Sequence, residues 1–315
     1  NHHPGGSSAG SGAALAAGLL PLALGTDTGG SVRNPASMCG IVGLKPTYGL
    51  VSRGGVFPLS FSLDHVGPMT RTVEDNAALL RGLAGHDSTD PASVLRAHEN
   101  FSRDLRRGVG GLRIAYVARF HRQDHVADPH MAAALDRAAR LLEAEGAIVE
   151  EADLPPLAEF ANLRRAILCS EGYAIHEAWL RDRPADYADS TRRRLLPGAF
   201  LSSADYIQAQ RRRRQVTEEV SRLLGDYDAI LCASSMDPPA VIDDPEAIER
   251  TYPRQARTPF NVTGHPALCL GIELHPNGLP LAAQLVTGAF QEAKLYRIAW
   301  TLEQAAGFVE RRPAL

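Results

Sequence analysis

Apolar residues recur along this chain in two rhythms, one helical and one of strand length. Residues 72 to 84, TVEDNAALLRGLA, carry them at helical spacing, with Thr72 placed to cap and Asp75 at the third helical position. Residues 129 to 155 read as a helix followed by a strand, and 291 to 307 as a closing helix that stops on Gly307. Short apolar runs at 21 to 27 and 226 to 234 predict buried strands, 111 to 120 and 278 to 288 further strands, and 260 to 274 a loop leading into another. The small-residue stretch 8 to 20, SAGSGAALAAGLL, predicts a tightly buried helix with Ser8 or Ser11 as its cap. Between these, 28 to 49 reads as loop, short helix and strand, and 157 to 224 as largely helical. The strand–helix–strand order predicts an α/β chain, a single domain over 1 to 315 built on one mixed sheet.

Composition narrows the class without naming an activity. The 315 residues are 44% hydrophobic and 22% charged, with a formal net charge of −3, which excludes a general electrostatic attraction to nucleic acid or anionic membrane. Four widely spaced cysteines, Cys39, Cys169, Cys232 and Cys269, predict free thiols in a reducing compartment rather than a disulfide frame. No apolar run is long enough to span a bilayer, so the cytoplasm is the expected location.

Chemistry concentrates near the start, in GGSSAGSG at 5 to 12 and GTDTGGSVRNP at 25 to 35. The first loop fits a G-x-S-x-G elbow with Ser8 as nucleophile, but an elbow follows an apolar strand, and Asn1-His2-His3-Pro4 stands in that place. In the second loop, Gly29 and Gly30 precede Ser31, so unobstructed backbone amides can surround a point beside its hydroxyl, as an oxyanion hole requires. Asp27 and Arg33 flank that loop with opposite charges able to clamp its arms. Both stretches also fit plain tight turns.

Together, residues 4 to 75 resemble the amidase signature family, a likeness that continues through PFNVTGHPAL, GLPLAAQLV and the terminal helix. The resemblance implies an α/β/α fold with a large mixed β-sheet covered by helices on both faces. It also implies a Ser–cis-Ser–Lys triad that cleaves a linear carboxamide through an acyl-enzyme. Carried over by position, Ser31 matches the nucleophile and Ser7 the bridging cis-serine, while Ser8 falls on a supporting position beside Asp27 and Arg33. The amides of Thr28, Gly29, Gly30 and Ser31 match the oxyanion hole. Phe57, Phe61, Asp64 and Met69 lie where relatives border the acyl pocket, and Arg193, within Arg192 to Arg194, where they line a substrate funnel. No cofactor or metal is implied. The expected partner is a small-molecule amide, with no direct nucleic-acid or membrane contact, and a homodimer is admitted.

The family's catalytic lysine lies upstream of the GGSS loop. The only lysines here are Lys45, in a structural motif, and Lys294, at the start of the closing helix. The expectation is therefore a C-terminal part of a longer amidase, lacking its N-terminal part, nearly inactive alone and exposing apolar surface. The A component of the tRNA-dependent amidotransferases shares the same core and is the alternative, disfavoured because Tyr252 to Arg257 holds no acid for glutamine's amino group. A catalytically incompetent remnant serving as an assembly surface is the other alternative. His121, His125 and His130 read as a solvated loop, and Arg211 to Arg214 as an exposed charged face.

Overall fold

The computed structural model describes residues 1–311. Its elements begin with α1 (Ala9–Ala16), β1 (Leu22–Thr26), α2 (Arg33–Cys39), β2 (Val42–Lys45), β3 (Val66–Thr70) and α3 (Val73–Leu83). The middle holds β4 (Arg113–Tyr116), α4 (Pro129–Ala144), β5 (Ile148–Glu151), α5 (Leu157–Asp182), α6 (Asp189–Leu195) and α7 (Ser203–Asp226). The chain continues through β6 (Ala229–Ala233), α8 (Pro245–Thr251), α9 (Thr258–Thr263), β7 (Ala267–Leu274), β8 (Pro280–Val286) and α10 (Glu292–Ala306).

Among the described residues the strands form one eight-stranded sheet in the order β1-β3-β2-β7-β8-β6-β4-β5. Strand β4 runs parallel to β5 and β6, and the remaining pairs are antiparallel, so the sheet is mixed as expected. Alternation along the strands divides the core in two. Leu268 and Leu270 of β7 join the larger cluster, with Leu295 and Leu302 of α10 and Leu80 of α3. Cys269, between them, joins Leu15 of α1, Ala36 of α2 and Val32 just before it in the smaller one. Helices thus cover both faces.

Local signals explain the helix ends. Thr72 accepts a hydrogen bond from the Asp75 amide, Asp128 from those of His130 and Met131, and Gly307 closes α10 in the left-handed region.

Several expectations are corrected. The stretch 8 to 20 is not tightly buried: α1 buries Gly12 and Leu15, while Leu19 is 75% exposed. Strand β1 is likewise no buried strand, since it lies at the sheet edge and exposes Leu22 and Leu24. Ser8 stands at the helix N-cap but its hydroxyl is turned to β1, accepting from the Thr26 amide at 3.2 Å. Strand β3 and helix α9 are additional elements, the latter formed where a loop was expected. His121 is buried rather than solvated, its Nε2 lying 3.2 Å from the Tyr116 hydroxyl, and burial pulls its pKa down to about 4. Arg213 also turns inward, donating to the Val262 and Ser62 carbonyls. The described helices include none long and apolar enough to cross a membrane, and all four cysteines are free.

Candidate active site

The two serine loops meet. The Ser8 amide donates to the Ser31 carbonyl at 3.2 Å, which fixes GGSS against TGGS, and the Gly6–Ser7 peptide is cis. Ser7 is exposed and Ser31 half-buried, so both residues lie at the surface end of the junction.

Beneath them sits a buried polar knot. Asp27 and Arg33, both fully buried, pair through Oδ1 to Nη2 and Oδ2 to Nε, each at 3.0 Å. Arg33 also donates to the Arg257 carbonyl, Gln284 and Asn261, so every arm of its fork is held. Asp27 accepts from the amides of Gly30 at 2.7 Å, Val32 at 3.2 Å and Arg33 at 3.4 Å. Burial would raise the Asp27 pKa, but the Arg33 charge and the hydrogen bonds from Arg33 and Asn261 hold it well below the usual carboxylate range.

This knot decides which loop amides remain free. The Gly30 N–H is bound to Asp27, whereas those of Thr28, Gly29 and Ser31 meet no acceptor among the described residues. Three loop amides are therefore left without an acceptor where four had been expected.

The loop after Phe57 braces the same corner. Asp64 accepts from the Thr28 hydroxyl at 2.6 Å through one oxygen and from the Leu59 and Ser60 amides at 2.8 Å through the other. Phe57 is 61% exposed and stacks on Trp179 of α5, with ring centroids 5.8 Å apart. Phe61 is exposed as well, and its carbonyl accepts from the Tyr48 hydroxyl at 2.7 Å. Arg193 is exposed on α6. Met69 is fully buried in the smaller core cluster, on the face of β3 that packs against α1.

Neither lysine approaches the serines as a partner. Lys45 is fully buried and donates to the Pro46 carbonyl at 2.9 Å, with His65 Nε2 at 3.2 Å. Burial first, and the Arg33 charge second, keep its pKa well below the ordinary lysine value. Lys294 is paired with Asp228 at 2.9 Å.

Two arginines that sequence reading missed press on the TGGS loop. A Cβ placed on Gly30 would come within 2.6 Å of Arg257 Nε, and one on Gly29 within 3.1 Å of Arg164 Nη1. Gly30 also holds φ at +119°, so both conformation and contact demand glycine there. The doublet GG was the available signal, since glycine admits close approach, but nothing local says what approaches.

A family model described as Amidase matches residues 1–296. A curated relative from Halothermothrix orenii, named as the A component of glutamyl-tRNA(Gln) amidotransferase, is 35% identical, covering 100% of this chain and 71% of its own length. The crystal structure of the component of that name from Thermotoga maritima superposes with a TM-score of 0.83 at 36% identity, covering 96% of this chain and 66% of that one. A structure of 6-aminohexanoate cyclic dimer hydrolase complexed with substrate gives a TM-score of 0.87 at 30% identity, covering 99% and 70%. The chain thus spans about two thirds of the length of such relatives.

Proposed function

Since this chain belongs to the amidase family, we propose that it carries the acyl-transfer centre of a hydrolase that cleaves the C–N bond of a linear carboxamide. The observation that supports this most is the docking of the GGSS loop on the TGGS loop, with three TGGS amides left without an acceptor.

In this reading Ser31 Oγ attacks the carbonyl carbon, and the resulting oxyanion is met by the Thr28, Gly29 and Ser31 amides. The Ser31 proton passes through the Ser7 hydroxyl to the departing nitrogen, the C–N bond breaks, and ammonia or an amine leaves. Water then cleaves the Ser31 ester and releases the carboxylate. Asp27 is a positioning residue that fixes the loop, and Arg33 holds Asp27. Asp64 does the same for Thr28. Neither Lys45 nor Lys294 is offered as the base behind Ser7, for both are engaged elsewhere.

A second reading is favoured by the relatives named as amidotransferase A components. There the same half-reaction acts on glutamine, and the ammonia goes to partner proteins. The two readings share the Ser31 chemistry and part on the substrate and on what receives the ammonia.

Ammonia release from a panel of linear carboxamides, with L-glutamine included, tests both. Turnover of simple carboxamides by the protein alone supports the hydrolase. Turnover of glutamine only, rising when the other amidotransferase components are added, supports the second reading. In either case Ser31→Ala is expected to abolish whatever ammonia release the protein shows, since no acyl-enzyme can then form.

A further inference from the structure

Helix α5 carries a buried carboxylate, Glu171, that is met by hydrogen-bond donors on both oxygens. Its Oε2 accepts from the Ser60 hydroxyl and from the Ser62 amide at 3.0 Å. Its Oε1 accepts from the Ser62 hydroxyl and, across from α7, from the Tyr206 hydroxyl, both at 2.7 Å. A buried carboxylate holding donors on every side fixes the groups that donate to it.

Ser60 and Ser62 belong to the turn that braces the serine loops. The Ser60 carbonyl closes that turn, accepting from the Leu63 and Asp64 amides at 3.0 and 2.9 Å. Asp64 accepts from the Leu59 and Ser60 amides through Oδ2 and from the Thr28 hydroxyl through Oδ1. One turn therefore joins two carboxylates: Glu171 holds its serines, and Asp64 reaches from it to Thr28. Apolar burial secures only part of this turn, since Leu63 is fully buried while Phe61 is 55% exposed and Leu59 37%. Hydrogen bonds must hold the rest. Without Glu171 the fully buried Ser60 would lose the acceptor for its hydroxyl, and the turn would shift to satisfy it.

Resting on the hydrolase reading, we propose that Glu171 is a positioning residue of the acyl-transfer centre. Through Ser60, Ser62 and Asp64 it sets Thr28, whose amide is one of the three loop donors left to meet the oxyanion. Glu171 touches no reacting atom. Asp27 fixes the far side of the same loop through the Gly30, Val32 and Arg33 amides, so Thr28 is placed between two carboxylate anchors.

Hydrogen exchange followed by mass spectrometry tests the link without any reaction at Ser31. Glu171→Met keeps the volume and removes both acceptors. It is expected to speed exchange roughly 10- to 100-fold in residues 59–64 and in the bonded amides of 30–33, with β7 and β8 unchanged. Glu171→Gln retains one acceptor oxygen and is expected to fall between. Ser60→Ala breaks the same link from the turn and leaves α5 untouched, so it decides where Glu171→Met fails to fold. Faster exchange confined to 59–64, or spread evenly over the sheet, would overturn the proposal. In turnover, Glu171→Met is expected to lower kcat with KM unchanged, and to add nothing once Thr28→Val has cut the chain. Additive losses would contradict it equally. Absent ammonia release from the unsubstituted protein is instead a failure of the hydrolase reading, and the exchange result still decides the link.

Discussion

Asp27 organises the site through a single carboxylate. Its two oxygens accept from Arg33, Asn261 and three loop amides, all out of contact with water. Removing it leaves Arg33 charged and buried, so Asp27→Ala is expected to cost about 3–5 kcal/mol of unfolding free energy, measured by urea denaturation. Because the folded-state pKa of Asp27 is depressed below its ordinary 3.8, its contribution is complete above that value and is lost as pH falls below it. Gly30→Ala acts from the other side of the loop. The added Cβ meets Arg257 at 2.6 Å with φ at +119°, so a lower Tm and a displaced Arg257 are expected, the latter visible by crystallography. At this scale the sequence was readable where residues are neighbours: Asp27, Ser31 and Arg33 fall within one loop. It was silent on Arg164 and Arg257, because their approach depends on how α5 and the segment before α9 pack.

Among the elements, the strongly periodic ones, α3, α4 and α10, were legible, since apolar spacing and caps agreed. Strand β3 was not, because Gly67 and Pro68 argue against a strand interior. Pro68 is tolerated where the paired register of β3 with β2 stops at Met69 and Thr70, so no ladder partner on that side needs its missing N–H. Strand β1 and the end of α1 were misread as buried because apolar composition does not report what lies outside them. Between α3 and α10, Glu303 accepts from the Val73 amide at 2.8 Å, and burial raises its pKa from 4.5 to about 7. The folded chain then binds more protons than the unfolded chain across that window. Stability is therefore expected to fall as pH rises from 4.5 to about 7. Glu303→Gln keeps the oxygen that caps Val73 and is expected to flatten this dependence in Tm measured across that range.

For the whole molecule, Leu19, Leu20, Leu22 and Leu24 form an exposed apolar margin along the β1 edge of the sheet. An edge strand with such side chains is prone to edge-to-edge pairing. Leu22→Lys combined with Leu24→Lys is expected to lower concentration-dependent light scattering. The fold, by contrast, brings distant segments to one place: α2 and α9 deliver Arg33 and Asn261 to Asp27 beneath the TGGS loop. The assignment of Ser31 as nucleophile is the claim on which the rest depends. Labelling with a fluorophosphonate followed by fragment mass spectrometry tests it most directly, because the tryptic peptide ending at Arg33 holds Ser7, Ser8, Ser11 and Ser31 together. The expected result is one adduct placed by fragmentation on Ser31 and lost in Ser31→Ala; an adduct on Ser8, or none on Ser31, would contradict the assignment.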